Sequence, residues 1–270
     1  FGAEDAAENL TLISSTDTSF FAPIIESFLR GRPNVSISYF VTGTADLDAI
    51  FRADQDGYDV VISSAMDLQL KLANDGFALR IDTIVHPAWA QWRQSLFGFT
   101  TEPATIVVNK AAFAGQPVPR TRQELIQALR ADPDRFRGRV GTYDVRQSGL
   151  GYLFATQDAR ASESFWRLTE VMGSLEAQLY CCSGDMIDDL VDGTLAVAYN
   201  VLGSYASARG DALGEIEVIL PSDFPTTMMR TAFVSETTDN PQIAADFVRH
   251  LTALQSDASG NDVFPLPPLT

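Results

Sequence analysis

Short apolar runs alternate with amphipathic stretches along the first hundred residues. The runs bury both faces of a strand, whereas the stretches between them repeat apolar residues at the spacing of one helix face. Strands that alternate with helices in this way indicate βαβ units and a largely parallel sheet. The predicted strands are 10–14, 35–40 and 58–63, and the predicted helices lie within 19–33, 42–54 and 67–76.

The alternation continues with a second set of elements beyond residue 95. Two extended segments flank Pro103 within 96–110, and Thr121 precedes an amphipathic stretch as a helix cap would. The Pro-rich stretch 264–270 is expected to be a loose strap or tail. The further predicted strands are 138–144, 194–200, 215–220 and 228–235, and the further predicted helices are 121–132, 149–158, 161–174, 184–191, one from 201, and 241–254.

This order of elements predicts an α/β protein of two lobes, each a mostly parallel sheet flanked by helices. A chain of 270 residues has room for one large or two modest domains, at roughly 150 residues per domain. We expect lobe 1 to combine residues 1–100 with 230–270, and lobe 2 to span 105–225. The chain then crosses between lobes near 100–110 and 221–231, and the cleft between them is the expected ligand site.

Composition and charge exclude several classes of protein. Apolar residues make up 46% and charged residues 20%, which is typical of a soluble globular protein rather than a disordered one. The net charge of −16 repels phosphate backbones, so nucleic-acid binding is not expected. The same sign argues against a polybasic membrane anchor. No apolar run reaches the roughly 20 residues of a membrane-spanning helix.

The N-terminus and the cysteines leave alternatives open. The opening residues FGAEDAAENL carry no basic or apolar leader, which fits a cytosolic start or a secreted protein whose signal peptide has been removed. Cys181 and Cys182 are adjacent, and two packed thiols are the simplest interpretation. A vicinal disulfide would require an oxidising compartment. A metal site lacks a second cysteine pair or a nearby histidine.

The sequence carries no signature of an enzyme or of a bound cofactor. The G-x-S-x-G, H-E-x-x-H and G-x-x-x-x-G-K-[ST] motifs are missing. Only two histidines, His86 and His250, are present, which leaves little for a Ser–His triad. The only G-x-G is Gly149–Leu150–Gly151, without the rest of a dinucleotide fingerprint. We therefore expect neither catalysis, a cofactor nor a structural metal.

Small polar residues follow several predicted strands and supply the candidate site. Ligands of open α/β sheets lie outside the carboxyl ends of the strands, where helix N-termini present free N–H groups that suit carboxylates and phosphates. The alternative is that each residue only caps its own helix, with Ser64 and Asp67 forming a capping box. The candidates are Ser15, Thr16, Thr42, Ser63 and Ser64 in lobe 1, and Ser148, Gly149 and Asn200 in lobe 2.

Three larger side chains of lobe 2 complete the candidate set. Arg146 lies two residues before Ser148 and is either an anion clamp or a surface arginine in contact with Asp144. Tyr143 and Tyr199 come from predicted strands. Tyr199 has the stronger claim to a ligand because it lies at a strand end.

Four segments of the chain carry a specific pattern: LTLISSTDTSFFAPIIESFLRGRPNVSISY, GTADLDAIF, YDVVISSAMDLQLKLANDGFA and AYNVLGSYA. In these segments the chain resembles the periplasmic solute-binding proteins of ABC importers, and in particular their ferric-iron-type group with two crossings between lobes. The last segment is similar to a subgroup that includes phosphoglycerate and phosphonate binders. The resemblance covers nearly the whole chain.

The resemblance implies the type II fold of these proteins and a periplasmic location after signal-peptide removal. It also implies a monomer that closes around its ligand by a hinge and delivers it to an ABC permease. Two alternatives remain. A sensory module that reports to a membrane histidine kinase would share the fold, and an enzyme could use a similar two-lobe scaffold.

The resemblance also indicates where iron would bind. Ferric binders of this group typically place two adjacent tyrosines where this chain has Tyr199 and Asn200, and a histidine ligand near the position of Thr16 and Asp17. A neutral amide is a poor substitute for a phenolate ligand of a hard cation. The expected ligand is therefore a small organic anion with a carboxylate or phosphate group, and a ferric-iron binder of the same fold is the alternative.

Overall fold

A computed structural model describes residues 1–209, 214–256 and 263–269 of the chain. Two units emerge, each with its own sheet: unit 1 is Phe1–Thr101 with Met228–Thr270, and unit 2 is Glu102–Thr227. The parts of the predicted lobes at 210–213, 257–262 and 270 lie outside the described residues.

Unit 1 begins with the predicted alternation of strands and helices. The first helix buries Phe21, Ile25 and Phe28, which recur at helical spacing along one face. The elements up to residue 101 are β1 (Glu8–Ser14), α1 (Thr18–Leu29), β2 (Val35–Val41), α2 (Thr44–Ala53), β3 (Val60–Ser63), α3 (Met66–Asn74), β4 (Gln91–Trp92) and β5 (Leu96–Gly98).

Unit 2 is one continuous segment of the chain, and β11 (Thr227–Met228) follows it at the boundary. The chain then returns to unit 1 with β12 (Thr231–Val234) and α10 (Pro241–Ser256). The elements of unit 2 are β6 (Glu102–Asn109), α4 (Arg122–Ala131), α5 (Pro133–Phe136), β7 (Val140–Tyr143), α6 (Gly149–Ala161), α7 (Ser164–Ser174), β8 (Gln178–Tyr180), α8 (Ser183–Val191), β9 (Val197–Leu202), α9 (Gly203–Ser207) and β10 (Ile216–Ile219).

The sheet of unit 1 has the strand order β2–β1–β3–β12–β5–β4. Strand β1 runs parallel to β2 and β3, and Ser14 pairs with Val41 on one side and Ile62 on the other. This register brings the carboxyl ends of the three strands together. Strand β12 is antiparallel to both β3 and β5, so the sheet is mixed.

The sheet of unit 2 has the order β10–β6–β9–β7–β8. Strand β7 runs parallel to β8 and β9, whereas β6 is antiparallel to β9 and β10. Helices α4, α5 and α7 pack against this sheet through Leu125, Phe136 and Leu168, each fully buried. Both sheets are thus α/β layers, with antiparallel strands that the sequence pattern did not reveal.

Helix caps agree with the sequence at one predicted site and not at another. The Thr121 hydroxyl accepts a hydrogen bond from the Glu124 backbone N–H at 3.0 Å and caps α4, as predicted. The predicted capping box of Ser64 and Asp67 is wrong. Helix α3 starts one residue later, with Ala65 as its N-cap, because the side chain of Ser64 turns toward β1 instead.

Membrane spans require helices that are both long and apolar. Within residues 1–209, 214–256 and 263–269, none of the helices meets that requirement.

Candidate functional site

Three serine hydroxyls gather at the carboxyl ends of β1 and β3 in unit 1. The Oγ of Ser15 lies 3.3 Å from the Oγ of Ser63 and 3.4 Å from the Oγ of Ser64, and it accepts a hydrogen bond from the Ser64 backbone N–H at 3.1 Å. Ser63 and Ser64 are buried, whereas Ser15 is partly exposed. The parallel pairing of β1 with β3 produces this cluster, which we call the serine cluster.

Thr16 and Thr42 lie beside the serine cluster, and both engage neighbouring groups of the protein. The buried Thr16 hydroxyl accepts a hydrogen bond from Nη1 of Arg230 at 2.7 Å, and its carbonyl accepts one from the Tyr39 hydroxyl at 2.7 Å. The Thr42 backbone N–H donates to the Ser14 carbonyl at 2.9 Å. The predicted residues of unit 1 are therefore neighbours, with Ser15 the most accessible hydroxyl of the serine cluster.

Arg230 is a fully buried cation that the sequence analysis did not select. Its guanidinium donates to the Thr16 hydroxyl, and its backbone N–H donates to the Thr100 hydroxyl at 2.9 Å. The sequence could have indicated its burial, because Arg230 directly precedes the largely apolar strand Thr231–Val234. Buried charge is costly unless it is paired or hydrogen-bonded, so such an arginine points to a polar site inside the fold.

Asn200 is a β-bulge in unit 2. Thr105 pairs with Val201 and Ile106 with Tyr199, so Asn200 has no partner on β6. Its φ of +66° lies in the left-handed region, which asparagine tolerates better than most residues. Bulges re-aim side chains next to functional sites. Here the bulge turns the Asn200 amide toward a buried carboxylate on α6.

That carboxylate belongs to Asp158, which is fully buried and accepts hydrogen bonds from four side chains. The Tyr199 hydroxyl donates to it at 2.5 Å and the Asn200 Nδ2 at 2.9 Å. The donors are Arg122 Nη2, Tyr199 Oη, Asn200 Nδ2 and Thr226 Oγ1. We call this set of residues the Asp158 network.

Arg122 compensates the charge of Asp158. Its guanidinium is fully buried and lies 3.2 Å from Asp158, 3.0 Å from Asp223 and over the ring of Phe224 at 3.6 Å. Its Nε also donates to the Tyr199 hydroxyl at 2.6 Å. Neither Arg122 nor Asp158 is among the residues predicted from the sequence, although each lies three or four residues from buried apolar residues of its own helix.

The hydroxyl of Tyr199, a predicted ligand residue, is already engaged within the protein. Its hydroxyl is held between Arg122 and Asp158, and the side chain is 1% exposed. Burial, together with the negative charge of Asp158, raises the pKa of Tyr199 well above its usual value. The hydroxyl therefore stays protonated and donates to Asp158.

A cavity of about 240 Å³ lies within unit 2 beside the bulge. It brings together four of the predicted residues and several apolar side chains. Its wall includes Tyr143, Arg146, Tyr199, Asn200, Phe165 and Leu179. Leu179 pairs with Thr142 in the parallel register of β7 and β8, and both residues line the cavity.

Arg146 lies at this cavity but is already paired. It is 77% exposed, and its Nη2 and Nε donate to the Asp144 carboxylate at 2.7 and 2.9 Å. The hydrogen bonds from Arg146 lower the pKa of Asp144 to about 2. The contact with Asp144, which the sequence allowed as an alternative, is thus present, and a ligand anion would compete with that carboxylate for the guanidinium.

Ser148 and Gly149 begin α6 close to Tyr143. The Ser148 hydroxyl accepts a hydrogen bond from the Gly151 backbone N–H at 3.0 Å, so Ser148 caps this helix. A Cβ at Gly151 would lie 2.3 Å from the Cβ of Tyr143, so only glycine allows α6 to approach β7 here. Tyr143 is itself hydrogen-bonded to the Ser183 hydroxyl at 2.5 Å, and Ser148 and Gly149 do not line the cavity.

Cys181 and Cys182 form a vicinal disulfide between β8 and α8. The expectation of two packed thiols is therefore wrong. Both residues are exposed, and they lie between a three-residue edge strand and the first turn of a helix.

Comparison with known proteins places the chain in a family. A scan against protein-family models finds no match, and a search of curated proteins finds none. Among solved structures, the substrate-binding protein of an ABC transporter from Agrobacterium tumefaciens is 30% identical, with a TM-score of 0.93 over 99% of this chain and 80% of that one. The chain belongs to the substrate-binding proteins of ABC transporters.

Other substrate-binding proteins share the type II fold at lower identity. Iron-bound HitA from Pseudomonas aeruginosa is 16% identical, with a TM-score of 0.73 over 96% of this chain and 92% of that one. AfuA from Actinobacillus pleuropneumoniae, with fructose-6-phosphate bound, is 16% identical, with a TM-score of 0.74 over 91% and 80%. These neighbours are solute-binding transport proteins and not enzymes, and substrate-binding proteins of this kind are periplasmic and partner with ABC permeases.

Proposed function

We propose that this substrate-binding protein captures a small organic anion, with a carboxylate or phosphate group, and delivers it to its ABC permease. We further propose that it works as a periplasmic monomer from which a signal peptide has been removed. The interlobe cleft and the hinge closure that the family resemblance implies are part of this proposal.

The serine cluster is the observation that carries the proposal. Ser15, Ser63 and Ser64 offer hydroxyl donors at the carboxyl ends of two parallel strands, the usual ligand end of an open α/β sheet. Arg230 adds a buried positive charge next to Thr16. A local cation of this kind favours an anion even though the whole chain carries a net charge of −16.

Unit 2 supports an organic solute as well. Its cavity joins the polar groups of Arg146 and Asn200 to the apolar side chains of Phe165 and Leu179. A mostly apolar wall with a few polar groups is typical of sites for small organic molecules. The fold is shared with AfuA, whose structure holds fructose-6-phosphate, so sugar phosphates are natural first probes.

Ferric iron is the less favoured solute, although iron-bound HitA has the same fold. Ferric iron prefers anionic oxygen ligands, and a tyrosine must lose its proton to supply one. The raised pKa of Tyr199 and its hydrogen bond to Asp158 oppose that loss. Asn200, the adjacent residue, offers only a neutral amide.

Native mass spectrometry of the purified protein is the first test, followed by thermal unfolding with fructose 6-phosphate, 3-phosphoglycerate, citrate and ferric citrate. A ligand present at 100 times its dissociation constant stabilises the folded state by about 2.7 kcal/mol, which gives a clear rise in Tm. Small-angle scattering with the best ligand then tests hinge closure, which would reduce the radius of gyration.

The matched variants are Ser15→Ala and Ser36→Ala, the second being a half-exposed serine on β2 whose hydroxyl accepts from Asn9. We expect Ser15→Ala to weaken anion binding by about 1 kcal/mol, roughly fivefold, and Ser36→Ala to leave it unchanged. Equal effects of the two variants on anion binding would show that the serine cluster does not contact the ligand. A ferric adduct with a visible phenolate-to-iron absorbance would overturn the organic-anion proposal in favour of iron.

A further inference from the structure

The disulfide of Cys181 and Cys182 occupies an exposed position that joins two elements of unit 2. Strand β8 ends at Tyr180, directly before the pair, and Cys182 is the N-cap residue of α8. Both cysteines are exposed, so a reagent in solution reaches either sulfur.

Stability does not explain this disulfide. A cross-link stabilises a fold mainly by closing a loop in the unfolded chain, and its effect grows with the length of that loop. Cys181 and Cys182 are consecutive, so the bond closes almost no loop. The segment is held instead by other contacts, such as the hydrogen bond between Ser183 and Tyr143 and the bond from the Asp144 backbone N–H to the Tyr180 carbonyl at 2.8 Å.

A carboxylate completes a set of three metal-ligand groups at the same place. The Sγ of Cys181 lies 3.8 Å from an Oδ of Asp185, and ligand atoms of Cys181, Cys182 and Asp185 all lie within 4.8 Å of one another. All three residues are exposed. Thiolates are soft ligands that select soft cations, and the positive end of α8 favours negatively charged sulfur.

We propose that Cys181, Cys182 and Asp185 form a redox-controlled site for one thiophilic cation. As a disulfide the two sulfurs carry no thiolate, so the site is closed. As a dithiol they supply two thiolates, Asp185 supplies a carboxylate oxygen, and water takes the remaining position. The site shares no residue with the serine cluster and does not rest on the proposed solute.

The redox step requires a dithiol as reductant. Two electrons and two protons pass from that dithiol to the Cys181–Cys182 bond, through a mixed disulfide, and the reductant leaves as its own disulfide. Binding of a divalent cation then displaces the two thiol protons, so the charge of the site does not change when the metal enters. Oxidation by a disulfide reverses the first step and releases the cation.

Cadmium is the probe, because it is thiophilic and gives a thiolate-to-metal absorbance in the ultraviolet. The full-length protein is measured as purified and after reduction and removal of the reductant. By native mass spectrometry, we expect the reduced protein to gain one cadmium and lose two protons. We also expect it to show the ultraviolet thiolate-to-cadmium absorbance band. The oxidised protein is expected to show neither.

Three variants separate this site from weak binding to the many surface carboxylates. The reduced Cys181→Ser/Cys182→Ser double variant is expected to lose the band and the stoichiometric adduct. Asp185→Asn is expected to weaken cadmium binding about tenfold, which corresponds to about 1.4 kcal/mol. Asp188→Asn is the matched control on the same helix, since its carboxylate already pairs with Arg209.

Either of two results would overturn the proposal: equal cadmium binding by the oxidised and reduced proteins, or equal binding by the double variant and the reduced parent. An Asp185→Asn variant that binds as tightly as the parent would exclude the carboxylate from the site. Circular dichroism and Tm of each variant confirm that it is folded, which is expected because the substituted side chains are exposed.

Discussion

Individual residues of unit 2 show how position on an element decides the role of a side chain. Arg122 lies three and four residues before the buried Leu125 and Ile126 of α4, and Asp158 lies four residues after Phe154 of α6. Each charged residue is therefore on the apolar face of its helix. Periodicity alone predicts that such residues are buried, but it does not predict that two helices far apart in sequence pair them with each other.

The Asp158 carboxylate is predicted to be needed in unit 2 because it compensates the buried charge of Arg122. Asp158→Asn removes one of the two negative charges that face the buried Arg122, and we expect the free energy of unfolding to fall by about 3 kcal/mol. Glu170→Gln is the control, since its exposed pair with Arg130 should contribute less than about 1 kcal/mol. Chemical denaturation of both variants measures the difference, and equal losses would contradict the assignment.

The backbone of Asn200 gives a second prediction at this scale. Both Asn200→Gly and Asn200→Ala remove the amide that donates to Asp158, but only glycine adopts a φ of +66° without a steric cost. We expect Asn200→Ala to be about 1–2 kcal/mol less stable than Asn200→Gly, as measured by urea unfolding. Variants of equal stability would mean that the bulge is not under conformational constraint.

At the scale of elements, a helix cap can be predicted from the sequence when the capping side chain has no competing hydrogen-bond partner in the folded protein. Thr121 precedes α4 and caps it, as its sequence position predicts. Ser64 also precedes a helix, but its hydroxyl lies in the serine cluster, because β1 places Ser15 next to it. The local sequence contains a capping signal at both residues. It does not show which strand of the folded protein lies next to either of them.

The difference between these two residues can be measured. Thr121→Ala should lower the free energy of unfolding by about 1 kcal/mol, because the Glu124 N–H loses its acceptor. Ser64→Ala should not act through α3, whose N-cap is Ala65, and should instead alter anion binding at the serine cluster. Thermal unfolding without ligand, followed by ligand titration, distinguishes the two. A stability loss for Ser64→Ala as large as that for Thr121→Ala would indicate a capping role after all.

At the scale of the whole molecule, the two units differ in how the chain builds them. Unit 2 comes from one continuous segment, and the core cluster around Leu125 and Val197 takes its residues from 106–219. Unit 1 needs both ends of the chain, because β12 lies between β3 and β5 and hydrogen-bonds to each. Without β12 the sheet of unit 1 loses a central strand.

This topology predicts the behaviour of fragments. A fragment of residues 102–227 should fold alone, with a cooperative unfolding transition by circular dichroism. A fragment of residues 1–101 should not fold, because β3 and β5 would each expose an unpaired edge. Addition of a 228–270 peptide should restore ordered structure to it. A cooperative transition for residues 1–101 alone would show that β12 is dispensable.

The sequence by itself determined the type and order of the long elements, the α/β class and, through four recognisable segments, the family. Those features depend on periodicity and local turn signals, which neighbouring residues carry. Tertiary structure alone decided that β12 and β6 run antiparallel to their neighbours and that Tyr199 faces Asp158 and Arg122. The physical reason is the same in each case: these features depend on which distant segment lies alongside, and hydrogen bonds and ion pairs between such segments leave no period in the chain.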